Sequence, residues 1–133
     1  MFHFKQPAGT SRGVYTERQS WLLELTSPDA PGRKGIGECA PLPDLSCDYC
    51  LDYADKLRAF CDVFEREGAV DYEKMRDYPS MLFGLETALA HFNADTTAFF
   101  DTPFSRGEEG IPINGLVWMG SYEEMLGRNG KRK

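Results

Sequence analysis

The side chains best suited to metal or thiol chemistry in this sequence are its cysteines and histidines. They are Cys39, Cys47, Cys50, Cys61, His3 and His91. Cys47 and Cys50 have the spacing of a thiol redox pair, which is also half of a tetrahedral zinc site. Cys39 and Cys61 are poorly spaced to supply the other half, and the histidines lie far apart in the sequence. We therefore expect no metal site and four reduced thiols, with redox chemistry at Cys47 and Cys50 as the alternative.

The charge and hydropathy of the chain argue against several other classes of function. Its 133 residues carry 15 Lys and Arg against 21 Asp and Glu, a formal net charge of −6. A surface of this sign repels a phosphate backbone, so we expect no nucleic-acid partner. No apolar run approaches the length of about 18 residues that predicts a membrane span. Residues 1–5 lack the features of a signal peptide, so the expected location is cytoplasmic and away from the membrane.

The N-terminal third of the sequence predicts a small antiparallel sheet. Residues 1–4, 14–26 and 34–40 have the alternation or composition of strands. Residues 5–13 contain one proline and two glycines, and we expect them to form a loop rather than part of a strand. The predicted arrangement is a three-stranded antiparallel meander.

A helical period follows a second irregular loop, residues 41–46. Ser46 is a suitable N-cap for a helix from Asp48 to about Glu67, which Gly68 would end. The apolar face of this helix comprises Cys50, Ala54, Leu57, Cys61 and Phe64. A second helix is expected to begin at Pro79, where a missing N–H does no harm. Its buried stripe comprises Met81, Leu85, Ala88, Leu89 and Phe92.

The composition of the C-terminal part divides the chain into further segments. An α+β domain over residues 1–100 is followed by a linker at residues 101–110, which is rich in turn-forming and charged residues. Residues 111–119 form a mostly apolar run typical of a strand buried on both faces. With a short helix after it, this run makes residues 111–127 the first β/α piece of a larger unit. Residues 128–133 are a basic tail.

Four segments carry distinctive combinations of glycine, proline and apolar residues. They are Pro7-Ala8-Gly9-Thr10-Ser11-Arg12-Gly13, Gly35-Ile36-Gly37-Glu38-Cys39-Ala40-Pro41-Leu42-Pro43-Asp44-Leu45-Ser46, Phe83-Gly84-Leu85-Glu86-Thr87-Ala88-Leu89 and Ile113-Asn114-Gly115-Leu116-Val117-Trp118-Met119-Gly120. In this order they resemble the N-terminal part of the o-succinylbenzoate synthase family, in the enolase superfamily. The resemblance covers about residues 2–127, and several motifs in order make it more specific than any single glycine pattern.

The resemblance implies an enolase-superfamily N-terminal capping domain, in which the meander is followed by a helical bundle and an orphan first strand of a TIM-type barrel. In the family the barrel carries the chemistry. That chemistry is a lyase reaction, a Mg²⁺-dependent dehydration that forms 2-succinylbenzoate in menaquinone biosynthesis, with a lysine as base. The family's Lys-x-Lys motif and acidic metal ligands lie on later strands, and Lys131–Lys133 matches that motif only in form. We therefore expect a chain cut after about Leu126 to be inactive alone, with no catalytic residue and no bound cofactor.

The resemblance also assigns roles to two loops of this chain. In the family, loops of the capping domain close over the barrel mouth and exclude water from the substrate. The residues expected to do so here are Gly9, Thr10, Ser11 and Arg12 in one loop and Pro41, Leu42, Leu45 and Ser46 in the other. Arg12 would offer its guanidinium to a substrate carboxylate. Asn114 would contact the substrate from the barrel strand or form a structural hydrogen bond.

A non-catalytic assembly or binding module is the alternative function. The exposed strand at residues 111–119 would then pair edge to edge with a partner or with a second copy of the chain. Under the synthase interpretation, by contrast, the partner is a small-molecule carboxylate, which binds only where a barrel is present.

Overall fold

Small antiparallel sheets and helices make up the chain in the computed structural model, which describes residues 1–10, 12–94, 99–113 and 121–129. In chain order the elements are β1 (Phe2–Thr10), β2 (Gly13–Arg18), β3 (Trp21–Leu25), β4 (Gly35–Cys39), α1 (Tyr53–Glu67), α2 (Tyr72–Met75), α3 (Pro79–Ala94) and α4 (Tyr122–Asn129). The α+β class expected from the sequence is confirmed. None of the described helices is both long and apolar enough to span a lipid bilayer.

The strands pair as two separate hairpins. β1 is antiparallel to β2, and β3 is antiparallel to β4, so the described residues form two two-stranded sheets. The region expected to be a single strand, residues 14–26, is divided into β2 and β3 at Gln19 and Ser20. Because its two halves have different partners, the predicted three-stranded meander is not formed, although the antiparallel pairing is.

Most of the loop expected at residues 5–13 is instead part of strand β1. The strand continues through Pro7, in a stretch where the pairing register is interrupted. Both strands of a two-stranded sheet are edge strands, so a residue without an N–H is tolerated there. The turn itself is short, and Thr10 Oγ1 accepts the backbone N–H groups of Arg12 and Gly13 at 3.2 Å each.

Helix α1 starts later than its predicted beginning at Asp48, because the preceding residues have other roles. Ser46, the expected N-cap, accepts the N–H of Leu42 at 2.9 Å and so closes the loop before the helix. The helix begins at Tyr53. Its predicted end is confirmed, since Gly68 is left-handed (φ +69°) and its N–H bonds back into the last turn at 2.8 Å.

The hydrophobic core lies between α1, α3 and the β3–β4 hairpin. Its buried cluster comprises Cys39, Tyr53, Leu57, Met75, Met81 and Leu85. The predicted stripe of α3 is confirmed, with Met81, Leu85 and Ala88 buried and Leu89 and Phe92 half-buried. On α1 the prediction was less accurate, because Ala54 is exposed whereas Tyr53 is fully buried.

Glycines bring the backbones of β4 and α3 into direct contact. A Cβ on Gly37 would lie 1.8 Å from the carbonyl oxygen of Gly84, and one on Gly84 would lie 2.2 Å from Cys39 Sγ. A side chain at Gly37 would have to move the helix from the strand, and one at Gly84 would have to displace the Cys39 thiol. Alongside this contact, His91 Nδ1 accepts the N–H of Ile36 at 3.0 Å and caps part of the open edge of β4.

The predicted short helix near the C-terminal end is present as α4. The N–H of Ser121 donates to the Glu124 carboxylate at 2.8 Å, and Ser121 Oγ accepts the N–H of Glu124 at 3.3 Å. This reciprocal pair is a capping box. The helix therefore has its own start signal in the sequence.

The strand expected at residues 111–119 falls mainly outside the described residues. Residues 111–113 are exposed and form no strand. Residues 114–120 and 130–133, which include Asn114 and the Lys-x-Lys segment, lie outside the described part of the chain. The orphan barrel strand, the substrate contact of Asn114 and self-association through this segment thus stay predictions.

Candidate functional site

The first loop expected to cover a substrate is the tip of the β1–β2 hairpin, residues 9–13, called here the hairpin tip. Gly9 and Thr10 end β1 and pair with the start of β2. Arg12 occupies the turn with an exposed side chain. Ser11, expected in the same loop, lies outside the described residues. The tip is therefore fixed by the strand pairing beside it.

The second loop, residues 40–46, directly follows β4 and is called here the 40–46 loop. The carbonyl of Leu42 accepts the N–H groups of Leu45 at 3.2 Å and of Ser46 at 2.9 Å. Pro41 is buried, whereas Leu45 is 40% exposed. The loop is thus a turn closed by its own hydrogen bonds, with an apolar residue inside and another at its surface.

Three side chains of the hairpin donate hydrogen bonds to carbonyl oxygens of the 40–46 loop. The bonds run from Arg12 Nη1 to Asp44 (2.9 Å), from the Tyr15 hydroxyl to Pro43 (2.6 Å) and from Arg18 Nη2 to Ala40 (2.9 Å). They bring the two expected loops side by side. Arg12 was expected at this site from the sequence, whereas Tyr15 and Arg18 were not, because their types and spacing gave no signal of a contact with this loop.

A buried polar network follows the 40–46 loop and ties the chain to the start of α3. Asp48 is only 4% exposed, and its Oδ2 accepts the N–H of Ser80 at 2.7 Å and the Ser80 hydroxyl at 2.5 Å. Because the Ser80 proton is committed there, the Tyr53 hydroxyl donates to Ser80 Oγ at 2.6 Å. Asp48 Oδ1 is buried without a hydrogen-bond partner among the described residues. The carboxylate caps the N-terminus of α3 from a distant part of the chain.

The four cysteines are free thiols, and the environment of most of them opposes reactivity. Burial raises the pKa of Cys39 to about 12. Desolvation also raises the pKa of Cys50 and of Cys61. Since the thiolate is the reactive form, this argues against redox chemistry at Cys50, the expected partner of the exposed Cys47.

Comparison with known proteins concerns the same part of the chain. Residues 10–92 match the family described as MenC, N-terminal domain. An o-succinylbenzoate synthase from Desulfotalea psychrophila is 34% identical to this chain, in an alignment that covers 88% of the chain and 40% of that relative. The chain thus spans about 40% of the relative's length. No solved structure matches the chain significantly. The matched range contains the three bridging side chains and the whole 40–46 loop.

Proposed function

The chain belongs to the MenC N-terminal domain family, and on that premise we propose that it forms the capping part of an o-succinylbenzoate synthase-like enzyme. The proposed reaction is the family's dehydration of a cyclohexadiene carboxylate to 2-succinylbenzoate in menaquinone biosynthesis, carried out in the cytoplasm. The hairpin tip and the 40–46 loop would together act as a lid over the substrate. The bond between Arg12 and Asp44, which joins these two segments, is the observation that carries the proposal.

The exposed groups of the two segments suit a carboxylate substrate with apolar parts. Arg12 uses Nη1 on the Asp44 carbonyl, which leaves the other edge of its guanidinium for a substrate carboxylate. Leu45 would cover the ring or the succinyl chain. A closed lid would exclude water from a site where an enediolate forms, and so strengthen every electrostatic interaction there.

The described residues of this chain do not fit a magnesium site. Among them, no group of three or more His, Cys, Asp or Glu side chains is placed to hold a metal ion. In the proposed enzyme the Mg²⁺ ligands and the lysine base would come from the part of the relative's length that this chain does not span. The work of this chain's own residues would be to orient the carboxylate and to keep water out.

Complementation tests the proposal directly. The 133-residue chain would be co-expressed with the remaining part of the Desulfotalea psychrophila synthase, and formation of 2-succinylbenzoate followed by absorbance. We expect turnover when both chains are present and almost none with either alone. A folded, associated pair of chains without turnover would refute the capping function.

Arg12→Gln in the same assay tests the carboxylate contact. A charge-assisted hydrogen bond contributes about 1.5–3 kcal/mol, so kcat/KM should fall by about 10-fold to 100-fold. Arg58→Gln is the matched control, because Arg58 is an exposed α1 arginine paired only loosely with Asp55, at 3.6 Å. Equal losses in the two variants would exclude a specific role for Arg12.

A further inference from the structure

We propose that Tyr15 is a positioning residue that, with Arg12 and Arg18, joins the hairpin tip and the 40–46 loop into a single lid. The coupling of the two segments depends only on contacts within this chain. That the coupled unit serves as a lid rests on the proposed function above.

The need for outside donors arises from two prolines of the 40–46 loop. Pro41 and Pro43 have no N–H, so the loop has fewer backbone donors than acceptors. The carbonyl of Leu42 is satisfied inside the loop, by two N–H groups. The carbonyls of Ala40 and Asp44, like that of Pro43, take their donors from hairpin side chains instead. The composition of the loop therefore makes it depend on the hairpin.

The three bonds form an antiparallel ladder made of side chains. Donors at positions 12, 15 and 18 meet acceptors at positions 44, 43 and 40, in reverse order. Within the described residues β2 has backbone pairing with β1 alone. The side-chain ladder thus takes the place of a strand pairing on the side of the hairpin that faces the loop.

Tyr15 is the central member of this ladder and, like Arg18, is half-buried. Its bond to Pro43 is the shortest of the three at 2.6 Å, and its side chain is half-buried whereas Arg12 is exposed. A hydrogen bond is stronger where water is excluded. A tyrosine also has few rotatable bonds and loses little entropy when held. We therefore expect Tyr15 to set the position of the loop, and Arg12 to reinforce it.

Amide exchange in the full 133-residue chain, measured by NMR at single residues, tests the coupling. The reporters are the N–H groups of Leu45 and Ser46, which are bonded inside the loop. Tyr15→Phe removes one hydroxyl and keeps the ring, so we expect both amides to exchange about threefold to tenfold faster. Tyr49→Phe, which changes an exposed tyrosine just beyond the loop, is the control and should leave both rates unchanged.

The amides of Leu85 and Ala88 in α3 show whether the effect is local. Faster exchange in the loop with unchanged exchange in α3 supports the proposal. Unchanged loop rates in Tyr15→Phe would overturn it. An equal acceleration in loop and helix would also overturn it, because Tyr15 would then contribute only to global stability.

Arg12 provides a second variant that cannot harm the core, because its side chain is exposed. Arg12→Met should accelerate exchange at Leu45 and Ser46, and Arg12→Lys, which keeps a cationic donor, should restore part of the protection. Equal rates in both variants would contradict the role of the donor. These measurements need no substrate, so failed complementation would remove the catalytic role of the lid and leave the coupling intact. If complementation succeeds while the exchange rates stay unchanged, the proposed coupling is refuted and the proposed function is not.

Discussion

Replacing Gly37 with alanine tests the packing that supports the whole fold. The added Cβ would lie 1.8 Å from the Gly84 carbonyl oxygen and 2.9 Å from the amide nitrogen of Ala88. Both are backbone atoms, which cannot turn aside as a side chain can. Overpacking a core that can rearrange its side chains costs about 1–3 kcal/mol. Because the backbone is rigid, we expect Gly37→Ala to lower the free energy of unfolding by about 3 kcal/mol, the upper end of this range.

Urea and thermal unfolding followed by circular dichroism measure this loss. A destabilisation of about 3 kcal/mol in a chain of this size should lower Tm by about 12 °C. Gly13→Ala is the matched control, since Gly13 also lies in a strand and an added Cβ there meets nothing within 4 Å. Alanine restricts the unfolded chain more than glycine does, so this variant should be neutral or slightly more stable.

Gly84→Ala distinguishes a backbone clash from a side-chain clash. Its Cβ would meet Cys39 Sγ at 2.2 Å, an atom that a second substitution can remove. Cys39→Ala should therefore recover part of the loss in Gly84→Ala and nothing in Gly37→Ala. A loss below about 1 kcal/mol in Gly37→Ala, less than overpacking usually costs, would refute the close contact of β4 and α3. Recovery of Gly37→Ala by Cys39→Ala would refute the reasoning about which atoms collide.

Two further predictions concern buried polar groups. Asp48→Ala removes the acceptor of two Ser80 donors, so we expect the free energy of unfolding measured in urea to fall by about 2 kcal/mol. Asp62→Ala, at an exposed position of α1, is the control. An equal loss in Asp62→Ala would contradict the capping role. Burial raises the pKa of Cys39 from 9.0 to about 12. Its contribution to stability is therefore complete below pH 9 and is lost as the pH rises toward 12, because the unfolded thiol ionises first. Between pH 9 and 11 the stability of Cys39→Ala should fall less steeply than that of the unchanged chain, and parallel curves would count against this linkage.

The helices were largely predictable because burial of one helical face leaves a period in the sequence. Met81, Leu85 and Ala88 recur at helical spacing, and they are three of the four buried residues of α3. Gly68 marked the end of α1 for an equally local reason, since a left-handed residue favours glycine. Signals of this kind depend on neighbours in the sequence, so they can be interpreted without knowledge of the tertiary fold.

The strands and the start of α1 were harder to predict because distant contacts decide them. Pro7 indicated a loop, yet an edge strand with an interrupted register accepts it. Ser46 had the right type for an N-cap, but its hydroxyl is used within the 40–46 loop. Asp48 caps α3, which begins far along the chain, and not the helix that follows it. For Ser46 the residue type indicated a capping role without indicating which backbone N–H its hydroxyl accepts.

At the candidate site, too, the sequence indicated residue types but not their hydrogen-bond partners. The family resemblance predicted two loops with a common role, and Arg12 was selected within one of them. Tyr15 and Arg18 were missed because their acceptors are backbone carbonyls, 28 and 22 residues away. Every residue has a carbonyl, so such an acceptor leaves no mark in the sequence. The prolines of the loop, which lack an N–H, are a local feature consistent with donors that come from elsewhere.

The attachments of the 40–46 loop determine how a lid built from it would move. Cys39 precedes the loop and is buried against Gly84, and Asp48 follows it and is bound to α3. Opening the loop alone would break the three bonds to the hairpin. Moving the hairpin alone would break the same three bonds. Opening either segment without the other therefore costs the free energy of all three. The unpaired residues Gln19 and Ser20, between β2 and β3, are the point where the hairpin joins the core. Because the loop is held at both ends, the intact ladder ties the hairpin, and with it Arg12, to the core and restricts motion about that point.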